Sequence, residues 1–187
     1  MEPAREVAFF GGSFDPPHCA HLMAVAYALS CTPCREAWVV PAFDHAFAKD
    51  SAPFDARVAM CRAAFSPFGR RVRVLAVEAR LPRPSYTVQT LRHLASSHPD
   101  VSLRLVIGSD VLAETPKWRA FDEVASLAPP IVLARPGGAP GPGRGPAFPD
   151  VSSTAVRLAI ASGRDVSDLV PAAVLDIIRE EGLYGFR

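Results

Sequence analysis

The chain has 187 residues, 49% of them hydrophobic, and sets 20 Lys and Arg against 19 Asp and Glu for a formal charge of +1. That length and apolar content suit one domain over residues 1–187 with a real core. The near-neutral balance argues against wholesale nucleic-acid binding, and no apolar run approaches the ~18 residues of a membrane span. Glu2, Arg5 and Glu6 interrupt any signal-peptide pattern, so a cytoplasmic protein is expected.

The first strand is predicted over Arg5 to Phe10, followed by a helix over Ala20 to Ser30 and a strand over Ala37 to Val40 that Pro41 ends. Strand, helix and strand in so short a space read as a βαβ unit with a parallel pair. A loop from Ala42 to Pro53 leads to a second helix, from Phe54 or Asp55 to Phe65, with Val58, Cys61, Ala64 and Phe65 as its apolar stripe. Arg71 to Val77 alternates like a strand near a sheet edge. Tyr86 to Ser97 reads as a helix with Val88, Leu91 and Leu94 inward, capped by Ser85 or Thr87. Val101 to Ile107 is the fourth strand, and Gly108-Ser109-Asp110 follows it directly. Short helical pieces over Val111 to Glu114 and Trp118 to Leu127 precede a fifth strand, Ile131 to Ala134.

Pro136 to Pro149 is low complexity, with ten of fourteen residues Pro or Gly, and reads as a floppy or polyproline-like loop. A helix over Ala155 to Ala161, ended by Gly163, precedes the last helix, Ala172 to Glu181. Pro171 fits its first helical position, Gly182 its end, and Leu183 and Tyr184 should tuck back on the body. Five short strands alternating with helices make an α/β, Rossmann-like three-layer sandwich around a parallel sheet of about five strands. The glycines do not form GxGxxG, which disfavours an ordinary dehydrogenase.

Between the first strand and the first helix lies FFGGSFDPPHCAH, Phe9 to His21. Gly11 and Gly12 are expected to let the chain turn sharply, and Pro16 and Pro17 stiffen the exit. His18 and His21 are three apart, near one another in the first turns of a helix. A helix start offers unpaired N–H groups and a positive dipole end, so this arrangement suits a phosphate better than a metal. Imidazoles can donate to charge growing on phosphate oxygens, supplying two donors when protonated. A zinc pair would need further ligands from His45, His93 or His98, which the spacing does not favour. The Cys31–Cys34 pair lacks a second CxxC and follows a helix, so it is read as neither redox nor zinc chemistry; Cys19 is an oxidation point at most. Downstream, Ser152-Ser153-Thr154-Ala155-Val156-Arg157 places hydroxyls and N–H groups at a helix start with an arginine one turn in, a second phosphate-binding pattern.

GGSFDPPHCAH resembles the GG(T/S)FDPxHxxH signature of nicotinate-nucleotide adenylyltransferases. That family belongs to the HxxH/HxGH nucleotidyltransferase superfamily, which includes pantetheine-phosphate adenylyltransferase and class I aminoacyl-tRNA synthetases. VSSTAVR is similar to the family's ISSTxIR, GSD to its GxD, PKW to its Pro-x-Trp, and SYTVQTL to its SYTxDTL, with Gln89 in place of the usual Asp. The resemblance runs from Phe9 to Leu183-Tyr184. It implies adenylyl transfer from ATP to nicotinate mononucleotide, giving deamido-NAD and pyrophosphate. Nicotinamide mononucleotide or both are alternatives, and pantetheine phosphate a more distant one.

The same resemblance implies residue roles. His18, His21 and Arg157 would be catalytic. Gly11, Gly12, Ser13, Phe14, Gly108, Asp110, Arg135, Ser152, Ser153 and Thr154 would bind ATP. Lys49, Ser85, Tyr86, Thr87 and Trp118 would bind the mononucleotide, with Trp118 stacked on the pyridine ring. Arg57 and Trp38 are read as structural. Mg2+ would arrive as Mg-ATP with few or no direct protein ligands, Asp15 being the nearest acid. The family's compact Pro-x-x-Pro-Pro-His-Lys is here stretched to Pro41–Lys49, which leaves the choice between nicotinate and nicotinamide open. A monomer and a small homo-oligomer are both compatible with the sequence.

Overall fold

The computed structural model describes residues 4–43, 51–112, 114–134 and 148–186. Its centre is a five-stranded parallel sheet: β1 (Arg5–Gly12), β2 (Glu36–Pro41), β3 (Val72–Val74), β4 (Val101–Gly108) and β5 (Pro130–Leu133), in the order β3-β2-β1-β4-β5. The α/β, Rossmann-like expectation therefore holds. The chain steps from β1 to β2 on one side and later returns to place β4 on the other. β1 is thus where the strand order reverses, and its C-terminal end opens the crevice where such sheets bind ligands.

Alternation along the inner strands explains the two layers. Ala8, Val39 and Val106 face one side with buried residues of α1 (Cys19–Cys31), α2 (Phe54–Phe65), α6 (Ser153–Ala161) and α7 (Ala172–Glu180). Val7, Phe9, Trp38, Val40, Leu103 and Leu105 face the other with α3 (Thr87–Ser97) and α5 (Phe121–Leu127). A strand covered on both faces must be apolar on both, which is why the inner stretches Val7–Phe10 of β1 and Leu105–Ile107 of β4 are unbroken hydrophobic runs. Trp38 is wholly buried, with its indole N–H donating to Glu36 Oε1 at 2.6 Å, as a core tryptophan requires.

Several boundaries depart from the sequence expectation. β3 keeps only three residues of the predicted Arg71–Val77 strand, because it pairs on one side only and the chain leaves it for a 3-10 turn over Val77–Arg80. The predicted helix over Trp118 to Leu127 starts at Phe121; a 3-10 turn over Thr115–Lys117 comes first. α4 covers Ser109–Leu112, so the fourth strand passes into helix with no spacer. Neither Ser85 nor Thr87 caps α3: the cap position is Tyr86, with no side-chain hydrogen bond. Pro171 is the cap of α7 rather than its first helical residue. Gly163 (φ 70°) ends α6 as expected, its N–H donating to Ile160 O while Arg164 N–H reaches Ala159 O.

All four cysteines are free thiols. Burial pushes the Cys34 and Cys61 thiols up, away from the reactive thiolate. Cys31 is exposed and Cys19 half-buried. A thiol reagent at about pH 8 should therefore label Cys31, and more slowly Cys19, in the native protein, and all four only after denaturation. Fast native labelling of Cys61 would contradict this packing.

Candidate active site

β1 does not turn at Gly11 and Gly12. It runs straight through them, paired with Val40 and Pro41 of β2. These glycines serve close approach instead: a Cβ on Gly11 would lie 3.2 Å from the Phe9 ring, and one on Gly12 3.3 Å from the Phe14 ring. The turn falls two residues later, at Phe14 (φ 48°) and the cis Asp15–Pro16 peptide. Arg57, buried in α2, fixes this corner. Its guanidinium donates to Ser13 O at 2.8 Å and to Ala52 O at 3.1 Å, which confirms its structural reading.

The corner delivers the chain to α1 with His18 at the cap position and His21 at the third helical residue. The two rings stack with centroids 3.8 Å apart. His18 N–H donates to His21 Nδ1 at 3.1 Å. A backbone amide can only donate, so Nδ1 is an acceptor and Nε2 is the ring's donor. His21 therefore offers one donor in this arrangement, where the sequence allowed two. Phe14 sits beneath, edge-on to His21 at 5.0 Å and to Phe10 at 5.3 Å. It is 1% exposed, and its ring supports the histidine ring.

Opposite, α6 begins at Ser153. Ser152 Oγ caps it by accepting from Ala155 N–H at 3.1 Å, and Ser153 Oγ donates to Pro16 O at 3.0 Å. Both hydroxyls thus build the site's frame, while the Ser153 and Thr154 amides open the helix without intrahelical carbonyl partners. Arg157, one turn in, donates from Nη1 to Asp15 O at 2.8 Å and lies 3.5 Å from Asp15 Oδ2.

These parts enclose a cavity of about 440 Å³ at the end of β1 and β4, lined among others by Gly11, Gly12, Ser13, His18, His21, Gly108, Asp110, Ser152, Ser153, Thr154 and Arg157. Its volume matches a nucleotide-sized ligand. Two helix starts, α1 and α6, converge on it with an arginine between. That arrangement suits a polyanion in its backbone dipoles as well as its side chains. Phe148 and Leu133 give it an apolar wall, Phe148 N–H being held by Ala134 O at 3.1 Å. A somewhat larger cavity, of about 480 Å³, lies between α6, α7 and the C-terminal turn and contains none of these residues.

Asp15 is the residue the sequence undervalued. Its side chain is buried, with Oδ1 accepting from Tyr184 O–H at 2.6 Å and Ala52 N–H at 3.0 Å, and Oδ2 facing Arg157. A carboxylate so engaged is a structural anchor. Tyr184 folds back as expected, but nothing in the sequence tied it to Asp15.

On the far side of β1, Glu78 is buried and joins two segments: Phe43 N–H donates to Oε2 at 3.0 Å and Thr90 Oγ1–H to Oε1 at 2.8 Å. The Arg83 guanidinium lies 4.5 Å from the Phe43 ring centroid, and that of Arg119 lies 4.8 Å from the Tyr86 ring centroid. Trp118 packs edge-on against Phe121 and, like Tyr86, stays half-buried at the margin of the core. Ser85, Tyr86, Thr87 and Trp118 do not line the cavity; they stand apart from it on the α3 side of the sheet. Gln89 Oε1 is buried without a hydrogen-bond partner among the described residues. His45, Lys49 and Arg135 lie outside the described residues, as does the stretch 136–147.

Comparison with known proteins agrees with this layout. The cytidylyltransferase-like family model matches residues 9–159, from the end of β1 through Arg157. A protein of Anaeromyxobacter sp. (strain K) named a probable nicotinate-nucleotide adenylyltransferase is 48% identical over 98% of this chain and 99% of its own length. One of Myxococcus xanthus (strain DK1622) with the same name is 40% identical over 100% of this chain and 98% of its own. The chain belongs to the nicotinate-nucleotide adenylyltransferase family of cytidylyltransferase-like proteins. The fold is also that of Plasmodium falciparum nicotinic acid mononucleotide adenylyltransferase, solved with NaAD. That structure aligns at a TM-score of 0.81 and 19% identity over 98% of each chain. Among the described residues, no helix is long and apolar enough to cross a membrane.

Proposed function

We propose that this chain moves AMP from ATP to nicotinate mononucleotide, forming deamido-NAD and pyrophosphate. The observation that carries the reading is the convergence of the α1 and α6 starts, the stacked His18–His21 pair and Arg157 on one cavity at the end of β1. Family membership and the names of its closely matched relatives support the same reaction.

In this reaction an oxygen of the mononucleotide phosphate bonds to the α-phosphorus of ATP, and the bond from that phosphorus to the α–β bridging oxygen breaks. The nucleophile is already an anion, so no strong base is required. The site's task is to align two phosphates in line and to neutralise charge on the non-bridging and departing oxygens. His21 Nε2–H and the His18 ring flank the phosphorus in this reading. Arg157 and the first amides of α6 hold the β and γ phosphates. ATP would enter as its magnesium complex, the metal offsetting charge on the triphosphate and on the departing pyrophosphate. Asp110 at the end of β4 accepts from the ribose hydroxyls, next to Gly108.

The acceptor ring is assigned to the side of Tyr86 and Trp118. The guanidiniums of Arg83 and Arg119, held on aromatic faces there, favour an anionic ring substituent. This supports nicotinate over nicotinamide, a choice the stretched Pro41–Lys49 segment left open.

The test offers Mg-ATP with nicotinate mononucleotide, nicotinamide mononucleotide or pantetheine phosphate separately and follows pyrophosphate. Nicotinate mononucleotide should give the highest kcat/KM; no release with either pyridine acceptor would sink the proposal. In the same assay His18→Ala should lower kcat by about 100-fold or more with its folding retained. Arg119→Ala should raise KM for the nicotinate substrate by about tenfold and leave that for the nicotinamide substrate within about twofold. Equal effects on both acceptors would remove Arg119 from carboxylate selection.

A further inference from the structure

Tyr184 lies close to the end of the chain, yet its hydroxyl reaches the corner between β1 and α1, donating to Asp15 Oδ1 at 2.6 Å. The chain goes to some length to put it there. Gly182 (φ 60°) and Gly185 (φ 70°) bracket it, and Tyr184 itself takes φ 58°, a left-handed conformation that a tyrosine rarely adopts. Such a residue persists only where its surroundings over-determine it. Tyr184 also shares a surface depression of about 240 Å³ with Thr154 and Arg157, both of which line the nucleotide cavity as well.

Two anions compete for Arg157. One is Asp15, whose Oδ2 lies 3.5 Å from Nη1, while Nη1 already holds the Asp15 carbonyl at 2.8 Å. The other is the triphosphate that the cavity accommodates. The Asp15 carboxylate orders its corner, but it must not capture the arginine. Two neutral donors, Tyr184 O–H and Ala52 N–H, meet that charge at Oδ1 and hold Oδ2 beyond hydrogen-bond distance of the guanidinium. Burial and the neighbouring carboxylate raise the Tyr184 phenol far above its usual range, so it remains a donor at any working pH.

We propose that Tyr184 is a positioning residue for ATP: its hydroxyl, by satisfying Asp15 Oδ1, leaves the Arg157 guanidinium available to the triphosphate. Without that hydroxyl the carboxylate is short of a donor and turns toward Arg157, drawing the guanidinium out of the cavity. The effect falls on the nucleotide side only, since Tyr184 touches nothing assigned to the acceptor. This inference rests on the proposed adenylyl transfer for the identity of the bound triphosphate, but binding alone can test it.

The test is Tyr184→Phe, which keeps the ring and its packing. Calorimetry with Mg-ATP alone should show Kd raised about tenfold, a size expected for one charge-assisted hydrogen bond. In turnover, KM for ATP should rise while KM for the acceptor stays within about twofold. Adding Asp15→Asn should restore ATP affinity toward that of the parent, because a neutral amide no longer competes for Arg157. An unchanged ATP affinity in Tyr184→Phe overturns the proposal, as does a rise that Asp15→Asn fails to reverse; the latter would make Tyr184 a structural prop. ATP binding that follows this pattern in a protein inactive toward every pyridine acceptor would instead overturn the acceptor assignment and leave the role of Tyr184 standing.

Discussion

A single buried carboxylate organises this molecule. Asp15 is 3% exposed, and an isolated charge at that depth would cost several kcal/mol. It is stable there because three groups converge on the residue. Ala52 N–H comes from the approach to α2, Tyr184 O–H from the C-terminal turn, and the Arg157 guanidinium from α6. Nearby Arg57 pins the preceding Ser13 carbonyl. Arg157 is 142 positions away and Tyr184 169, so this one residue ties distant parts of the chain together at the mouth of the cavity. The low dielectric that makes the charge costly also makes each of these bonds strong and directional.

The rest of the site follows from where that corner sits. A parallel sheet whose order reverses at β1 leaves a crevice at its carboxyl end, and α1 and α6 both start there. Gly11 and Gly12 keep the floor of the crevice clear by removing side chains that would meet Phe9 and Phe14. Phe14 in turn holds His21 from below, and the His18 amide sets which nitrogen of His21 can donate. The histidines are thus fixed at two levels, by packing and by backbone. A phosphoryl site that works through alignment and preorganised donors requires that kind of support.

Much of this was legible beforehand, and the reason differs from element to element. β1, β2, β4 and α2 were readable because full burial imposes unbroken apolar runs or a clear stripe. β3 was overextended because Arg71 to Val77 alternates like a strand, although only Val72–Val74 finds a partner. His18, His21, Ser153 and Arg157 were readable as local patterns at helix starts, and the fold brings them to one cavity. Gly11 and Gly12 were given a turn when their task is close approach. Asp15, Tyr184, Glu78 and Arg119 escaped because each acts through a partner far away in sequence. The sole advance signals were an acid inside the signature and a Leu-Tyr pair expected to fold back.

The most direct test of this account replaces the anchor itself. In Asp15→Ala, the Ala52 amide and the Tyr184 hydroxyl lose their acceptor and Arg57 loses a nearby countercharge. Urea unfolding of the purified variant should then show a loss of about 2–4 kcal/mol in stability. A variant that unfolds at the parent's urea midpoint would show that the corner does not depend on Asp15.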